Sequence, residues 1–248
     1  GTCGTDKSVD WFFEITKELA KELNQNIKIT LLKCSQSQKD INKALLSKNL
    51  FPLSNAPKIS SKKIINCTNI VGLAGVEQIT EAINTKADII ICGRSTDASL
   101  IASLPIMNGV DKAVAWHAGK IGECGAFCTT NPKSGVILIS FKKNGFFIKP
   151  VSNNTKVTPY TVSAHMVYEN SNPFTLIEPG GCLDVKKAIY KKQKDGSVYV
   201  TGANWVQDYN YKIKLEGTHV VGYQSISMVL IRDESYVKNI NKWSKQVK

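Results

Sequence analysis

At 248 residues the chain is long enough for one large domain or two modest ones, and 42% hydrophobic against 21% charged residues excludes a disordered chain. Its 17 Gly and 8 Pro exclude collagen-like and low-complexity chains, and no apolar run approaches the ~18 residues of a membrane helix. The net charge of +12 raises nucleic acid as a partner, but only Arg94 and Arg232 among the 32 basic residues carry the guanidinium fork that specific phosphate contacts favour, so a solvated lysine-rich surface is preferred.

Val9, Phe12, Phe13, Leu19, Ala20 and Leu23 recur at helical spacing, which predicts an amphipathic helix over 8–24 capped by Asp6 or Ser8. Ile27, Ile29 and Leu31 alternate with polar residues and predict a strand. A helix over 37–49 ends before Pro52, and 64–71 reads as a second strand, followed by a helix over 76–85. The run ADIIIC at 87–92 is apolar throughout, as in a strand covered on both faces of a parallel sheet. Strand and helix alternate in this way to about residue 95, the signature of βαβ units. Helices follow at 96–104 and 112–127. Strands are then predicted at 136–142, 146–151, 198–201, 212–215 and 225–231, with helices at 159–169 and 234–247. The expected fold class is α/β: a Rossmann-like parallel-sheet half over 1–132, lacking its first strand, and a β-rich α+β half over 133–248.

Seven cysteines are scattered without a Cys-x-x-Cys, which points to free thiols in a reducing, cytoplasmic compartment rather than a disulfide framework. No secretory signal is visible, and the chain opens at a glycine turn without Met, as a fragment of a longer protein would.

Several constellations can carry chemistry. Gly1, Thr2, Gly4 and Thr5 precede the first helix, where backbone amides either bind a phosphate or carboxylate or merely form a tight turn. Gly93, Arg94 and Asp97 lie where the ADIIIC strand runs into a helix, the edge at which parallel sheets collect ligands. Arg94 there either grips an anion bidentately or pairs with Asp97. The densest reactive stretch is WHAGKIGECG: His117, Lys120 and Cys124 share one helical face and Glu123 lies beside Lys120. His117 reads as a general acid or base whose charge environment Lys120 and Glu123 set, against the alternative of a packed helix with satisfied polar groups. His165 and Glu169 sit four apart and form either an oriented His–carboxylate pair or a structural contact, and Glu178, Gly180, Gly181 and Glu216 lie at glycine turns that either face a cleft or reflect turn chemistry alone. The spacing of His117, Cys124 and Cys128 matches no zinc motif, so no metal and no cofactor are expected.

Taken together, five stretches in order along the chain, GTCGTDKSVDWFFEI, GVEQITEAINTKADIIICGRSTDAS, AWHAGKIGECGAF, TPYTVSAHMVYENSNPFTLIEPGGCLDV and YKIKLEGTHVVGYQSISMVLIRD, resemble the acyclic terpene utilisation AtuA family. The resemblance implies a cytoplasmic bacterial protein in the breakdown of acyclic terpenes such as citronellol and geraniol, whose pathways run through coenzyme A thioesters. It also implies a longer parent protein, because family members extend further at both ends. The resulting expectation is an enzyme acting on a small carboxylate or an acyl-CoA thioester, the thioester being a substrate, with Arg94 and His117 opening onto a common hollow. Two alternatives stand beside it. One is a non-catalytic assembly or binding subunit, or homo-oligomer, of an acyl-CoA pathway. The other is a polyanion-binding module, to which residues 125–248 with 17 basic and 8 acidic side chains would contribute most. Membrane association is not expected and nucleic acid is disfavoured.

Overall fold

The computed structural model describes residues 4–54, 56–170 and 172–246. Gly1 and Thr2, two of the expected anion-binding residues, lie outside the described residues. Helix and strand alternate through the first part as expected: α1 (Asp6–Glu22), β1 (Ile29–Leu32), α2 (Gln38–Leu46), α3 (Ser61–Ile65), β2 (Asn69–Gly72), α4 (Val76–Asn84), β3 (Ile89–Cys92), α5 (Asp97–Met107) and α6 (Lys112–Gly122). β1 and β3 pair in parallel, with Ile29 opposite Ile89 and Leu32 opposite Cys92. A parallel bridge from Ala74 to Ser95 carries the pairing on from the end of β2 to the end of β3.

Three local departures from the sequence reading have local causes. The cap of α1 is Thr5, whose Oγ1 accepts from the Ser8 amide, because Asp6 is drawn away to the amides of Cys34 and Ser35. Ile64 belongs to α3 rather than to a strand, since Ser60 caps a short helix there. α5 runs through Pro105 to Met107: near a helix end the missing N–H removes a single hydrogen bond, and Asn108 closes the last turn through Leu104 O.

The second part is antiparallel. A short 3-10 turn over Gly125–Cys128 follows α6, then come β4 (Ile137–Lys142), β5 (Gly145–Pro150), α7 (Pro159–Ala164), β6 (Thr175–Glu178), β7 (Gly181–Asp184), β8 (Ile189–Lys192), β9 (Val198–Thr201), β10 (Asn204–Gln207) and β11 (Leu215–Thr218). One sheet has the order β4-β5-β9-β8 and another β10-β7-β6, while β11 returns to the first part and pairs antiparallel with β2, Glu216 opposite Val71. β6, β7, β8 and β10 were not anticipated from the sequence.

Residues 225–231 form no strand, although their pattern predicts one, and 219–246 are exposed. A strand needs a partner for its backbone groups, and these residues enter none of the sheets. The closing helix is split into α8 (Glu234–Lys238) and α9 (Ile240–Ser244) at Asn239. Among the described residues no helix is long and apolar enough to cross a membrane.

The core is built around α6, of which every residue from Ala113 to Ile121 is buried. Ala98 and Ala102 of α5, Phe146 and Ile148 of β5, Leu183 of β7 and Val198 and Val200 of β9 share one apolar cluster with it. Each large side chain buried this way contributes roughly 1.5–3 kcal/mol. α5 and α6 approach closely because Gly119 has no side chain: a Cβ there would stand 2.4 Å from the Ala98 carbonyl oxygen. A helix walled in on all sides cannot present one polar stripe to solvent, so the face expected to carry His117, Lys120 and Cys124 is divided among separate neighbours.

Candidate functional site

The ends of β1, β2 and β3 meet beside the start of α1. The Arg94 amide donates to Gly4 O at 3.0 Å, the Arg94 carbonyl accepts from Ala74 N at 3.0 Å, and Thr96 N returns to Ala74 O at 3.0 Å. Gly93 permits this convergence, since a Cβ on it would lie 3.1 Å from both Cys34 Sγ and Gly4 O. Asp6 Oδ1 accepts from Cys34 N and Ser35 N at 2.9 Å each, and the Asp6 amide donates to Ser35 Oγ. The amides of Asp6 and Ser8 and the Thr5 hydroxyl are therefore engaged within the fold, where the sequence suggested an anion-binding turn.

Arg94 is likewise engaged. Its Nε donates to Glu216 Oε2 at 3.0 Å, Nη1 donates to Ser95 O at 3.2 Å, and Nη1 lies 3.7 Å from Asp97 Oδ1. Burial alone would raise the Glu216 carboxyl, but hydrogen bonds from Lys214 and Arg94 hold it below the usual carboxylate range. Of the two alternatives for Arg94, the structure contains the internal ion pair, and Glu216 is the larger part of it. The guanidinium ties β11 to the β3–α5 loop.

On the same edge, at the far end of α6, Lys120 and Glu123 form an ion pair whose side chains are 8% and 10% exposed. Two more acids face it. Asp97 at the start of α5 adds its charge to Glu123, and so does Glu169; burial comes first among the causes that raise the Glu123 carboxyl, and only the Lys120 pairing opposes them. Glu178, at the end of β6, is pushed up to about 7. The first cause is again burial; the charges of Glu123 and Asp97 add to it, while the Thr96 hydroxyl and Lys120 oppose it. A single lysine thus stands among several carboxyls in a poorly solvated setting, with Glu123 bound to it and Glu178 left holding a proton near neutrality. Carboxyls driven apart in this way can divide the roles of fixed charge and proton carrier.

The sequence places Glu178 there through a tight turn. Glu178 pairs with Gly181, leaving Pro179 and Gly180 as the two-residue loop between β6 and β7. Gly180 has φ +76, the left-handed geometry that follows Pro in a type II turn. Pro179 presses on the start of α4, where a Cβ on Gly75 would come within 2.6 Å of it. Gly181 lies flat under Trp205, whose ring stacks on Trp116 of α6 at 5.3 Å and 3°. The tryptophan stack fixes the hairpin against α6 and so carries Glu178 to Lys120.

His117, expected to be the acid or base, is fully buried on another side of α6. Nε2 lies 3.1 Å from Tyr190 OH, the ring packs edge-on against Phe146, and burial drives its pKa down to about 3. The concavity that His117 lines does not have Arg94 in its lining. The His165–Glu169 pair does not form. α7 ends at Ala164, the chain tightens to a 3-10 turn over His165–Val167, and Glu169 takes φ +56, which breaks the i, i+4 spacing. His165 stacks on Tyr168, and neither ring nitrogen makes a well-formed hydrogen bond. Burial and then the Lys120 charge lower its pKa, against an opposing pull from the Lys120 backbone. Cys124 falls beyond the end of α6 at Gly122, off the helical face expected for it. Among the described residues no grouping of His, Cys, Asp and Glu is placed to hold a metal ion.

Residues 10–248 match the family described as acyclic terpene utilisation family protein AtuA. No curated protein matches the chain, and no solved structure does.

Proposed function

The chain belongs to the acyclic terpene utilisation AtuA family, and from that premise we propose that it is an enzyme acting on a terpene-derived carboxylate or its coenzyme A thioester, with Glu178 as the group that transfers the proton. The observation that supports this reading is a carboxyl raised to about 7 beside a buried Lys–Glu pair at the ends of the parallel strands. Lys120 and Glu123 keep their expected part as the charge environment, and Glu178 replaces His117, whose ring is too buried and too weakly basic to exchange protons near neutrality. Lys120, paired with Glu123, supplies the positive charge that faces Glu178, while Arg94 is engaged by Glu216 and Asp97. Among the described residues the cysteines at 34, 67, 124, 128 and 182 are free thiols, which fits a reducing cytoplasm.

The test is incubation of the full chain in D₂O with geranic acid and with its CoA thioester, followed by mass spectrometry for product or deuterium uptake. The expected result is turnover with a pH limb near 7, lost in Glu178→Gln while circular dichroism stays native. Turnover unchanged by that substitution removes Glu178. Binding of the thioester without turnover supports the second reading, a non-catalytic pathway subunit. One observation favours that reading: the apolar run that includes Tyr223, Ile226, Met228 and Leu230 is almost fully exposed, as a surface for another subunit would be.

A further inference from the structure

The sheet β4-β5-β9-β8 has one buried face and one open face. Phe146, Ile148, Val198 and Val200 turn inward to the core cluster around α6. The residues that alternate with them turn outward: Leu138, Ser140 and Lys142 of β4, Lys149 of β5 and Lys191 of β8 are exposed. At the centre of the open face Phe147 of β5 and Tyr199 of β9 stand directly opposite each other, partly exposed, with ring centroids 4.7 Å apart. Gly145 makes room for the second ring, since a Cβ there would lie 2.8 Å from the Tyr199 hydroxyl and 2.9 Å from the ring carbon that bears it.

Cations frame this pair. Lys191 is opposite Tyr199, Ser140 is opposite Phe147, and Lys142 is opposite Gly145. Residues 137–150 and 189–201 together carry six lysines and a single acid, Asp195, which Lys149 already engages at 2.6 Å. Lys142 and Lys191 have no ion-pair partner among the described residues. Adjoining aromatic rings on the central strands of an antiparallel sheet, framed by positive charge, suit a chain of unpaired bases: bases stack on the rings while lysines hold the phosphates. The scarcity of arginine argues against reading base edges, but a surface that stacks bases without reading them needs no guanidinium fork. The Ser140 and Tyr199 hydroxyls on this face hydrogen-bond to no described residue, which leaves them for a ribose 2′-OH.

We propose that this open sheet face binds single-stranded RNA without sequence preference, with bases on Phe147 and Tyr199 and phosphates on Lys142 and Lys191. None of these residues belongs to the group around Glu178, so either proposal stands without the other.

The probe is a fluorescein-labelled oligouridylate of about eight nucleotides, titrated with the full chain and followed by anisotropy. The expected result is saturable binding that weakens about seven-fold between roughly 50 and 200 mM KCl, as two engaged phosphates require. Phe147→Val and Tyr199→Val keep strand propensity and remove one ring each; with native circular dichroism, each should weaken binding about ten-fold or more. Lys142→Gln and Lys191→Gln change only exposed side chains, and each should lower the slope of log affinity against log salt by about 0.7, whereas Lys62→Gln on α3 should leave it unchanged. An RNA duplex, whose bases are closed to the rings, should not compete, and the matching oligodeoxyuridylate, which lacks only the 2′-OH, should bind more weakly. The proposal fails if the oligouridylate shows no saturable binding to about 1 mM, if the duplex competes equally, if the deoxy probe binds as tightly, or if Lys62→Gln acts as Lys142→Gln does. It also fails if the face is taken by a second copy of the chain, seen in sedimentation as a dimer that Phe147→Val dissociates.

Discussion

Substituting Glu178 by Gln should make the protein more stable above neutral pH. The carboxyl moves from an ordinary 4.5 to about 7 on folding, so the folded state holds its proton more tightly than the unfolded chain does. The stabilisation that follows is fully present below pH 4.5 and disappears as the pH rises through 7. A displacement of this size corresponds to about 3 kcal/mol as a ceiling, and the water that still reaches the side chain reduces it to about half of that or more. Gln matches the neutral form in shape and does not titrate. The variant should therefore equal the unaltered chain near pH 4.5 and exceed it by about 1.5–3 kcal/mol at pH 8, or roughly 3–10 °C in Tm for a chain of this length. Thermal melts followed by circular dichroism at half-unit steps from pH 4.5 to 8.5 measure the difference directly. Parallel curves would refute the reasoning, because they would mean that Glu178 ionises in the folded protein as easily as in the unfolded one.

Lys120→Met should cost about 3–5 kcal/mol in urea denaturation by stranding Glu123 without its partner, whereas the double variant Lys120→Met/Glu123→Leu should recover most of the loss. A single variant as stable as the double one would contradict a coupled buried pair. His117, lowered from 6.5 to about 3, favours the native state above 6.5 and loses that contribution as the pH falls toward 3. Between pH 6.5 and 5 this loss is about 2 kcal/mol, and it should be missing from the acid limb of His117→Phe in equilibrium unfolding. Gly119→Ala places a methyl 2.4 Å from the Ala98 carbonyl and should cost about 1–3 kcal/mol by forcing α5 from α6. Gly196→Ala, at φ +82 with open space around it, meets only the backbone penalty of about 1 kcal/mol. Equal melting temperatures for these two variants would remove the argument that Gly119 sets the approach of α5 to α6.

Local patterning was enough for the βα alternation: the helical spacing of Val9, Phe12 and Phe13 became α1, and the continuous apolar run ending at Cys92 became β3. Residue type and spacing also singled out Arg94, Asp97, Lys120 and Glu123, which the fold then engages in ion pairs. β6 and β10 escaped notice because four residues such as TLIE or NWVQ carry too little periodicity, and their extended form is decided by β7 lying between them. The opposite error at 225–231 has the same origin, for alternation describes a side-chain pattern and says nothing of a hydrogen-bonding partner.

The largest reversal concerns His117 and Glu178. By residue type the histidine is the natural proton carrier near neutrality and the glutamate a mere turn residue. Their surroundings invert the assignment: desolvation suppresses the cationic form of the first and the anionic form of the second, moving one to about 3 and the other to about 7. Residue order alone determined which helices and strands could form and which reactive groups stood near the strand ends. Which of those groups lost its water, and which lay beside Lys120, was decided only when the Trp116–Trp205 stack and the Pro179–Gly180 turn brought distant segments together, because solvation and charge act through space rather than along the chain.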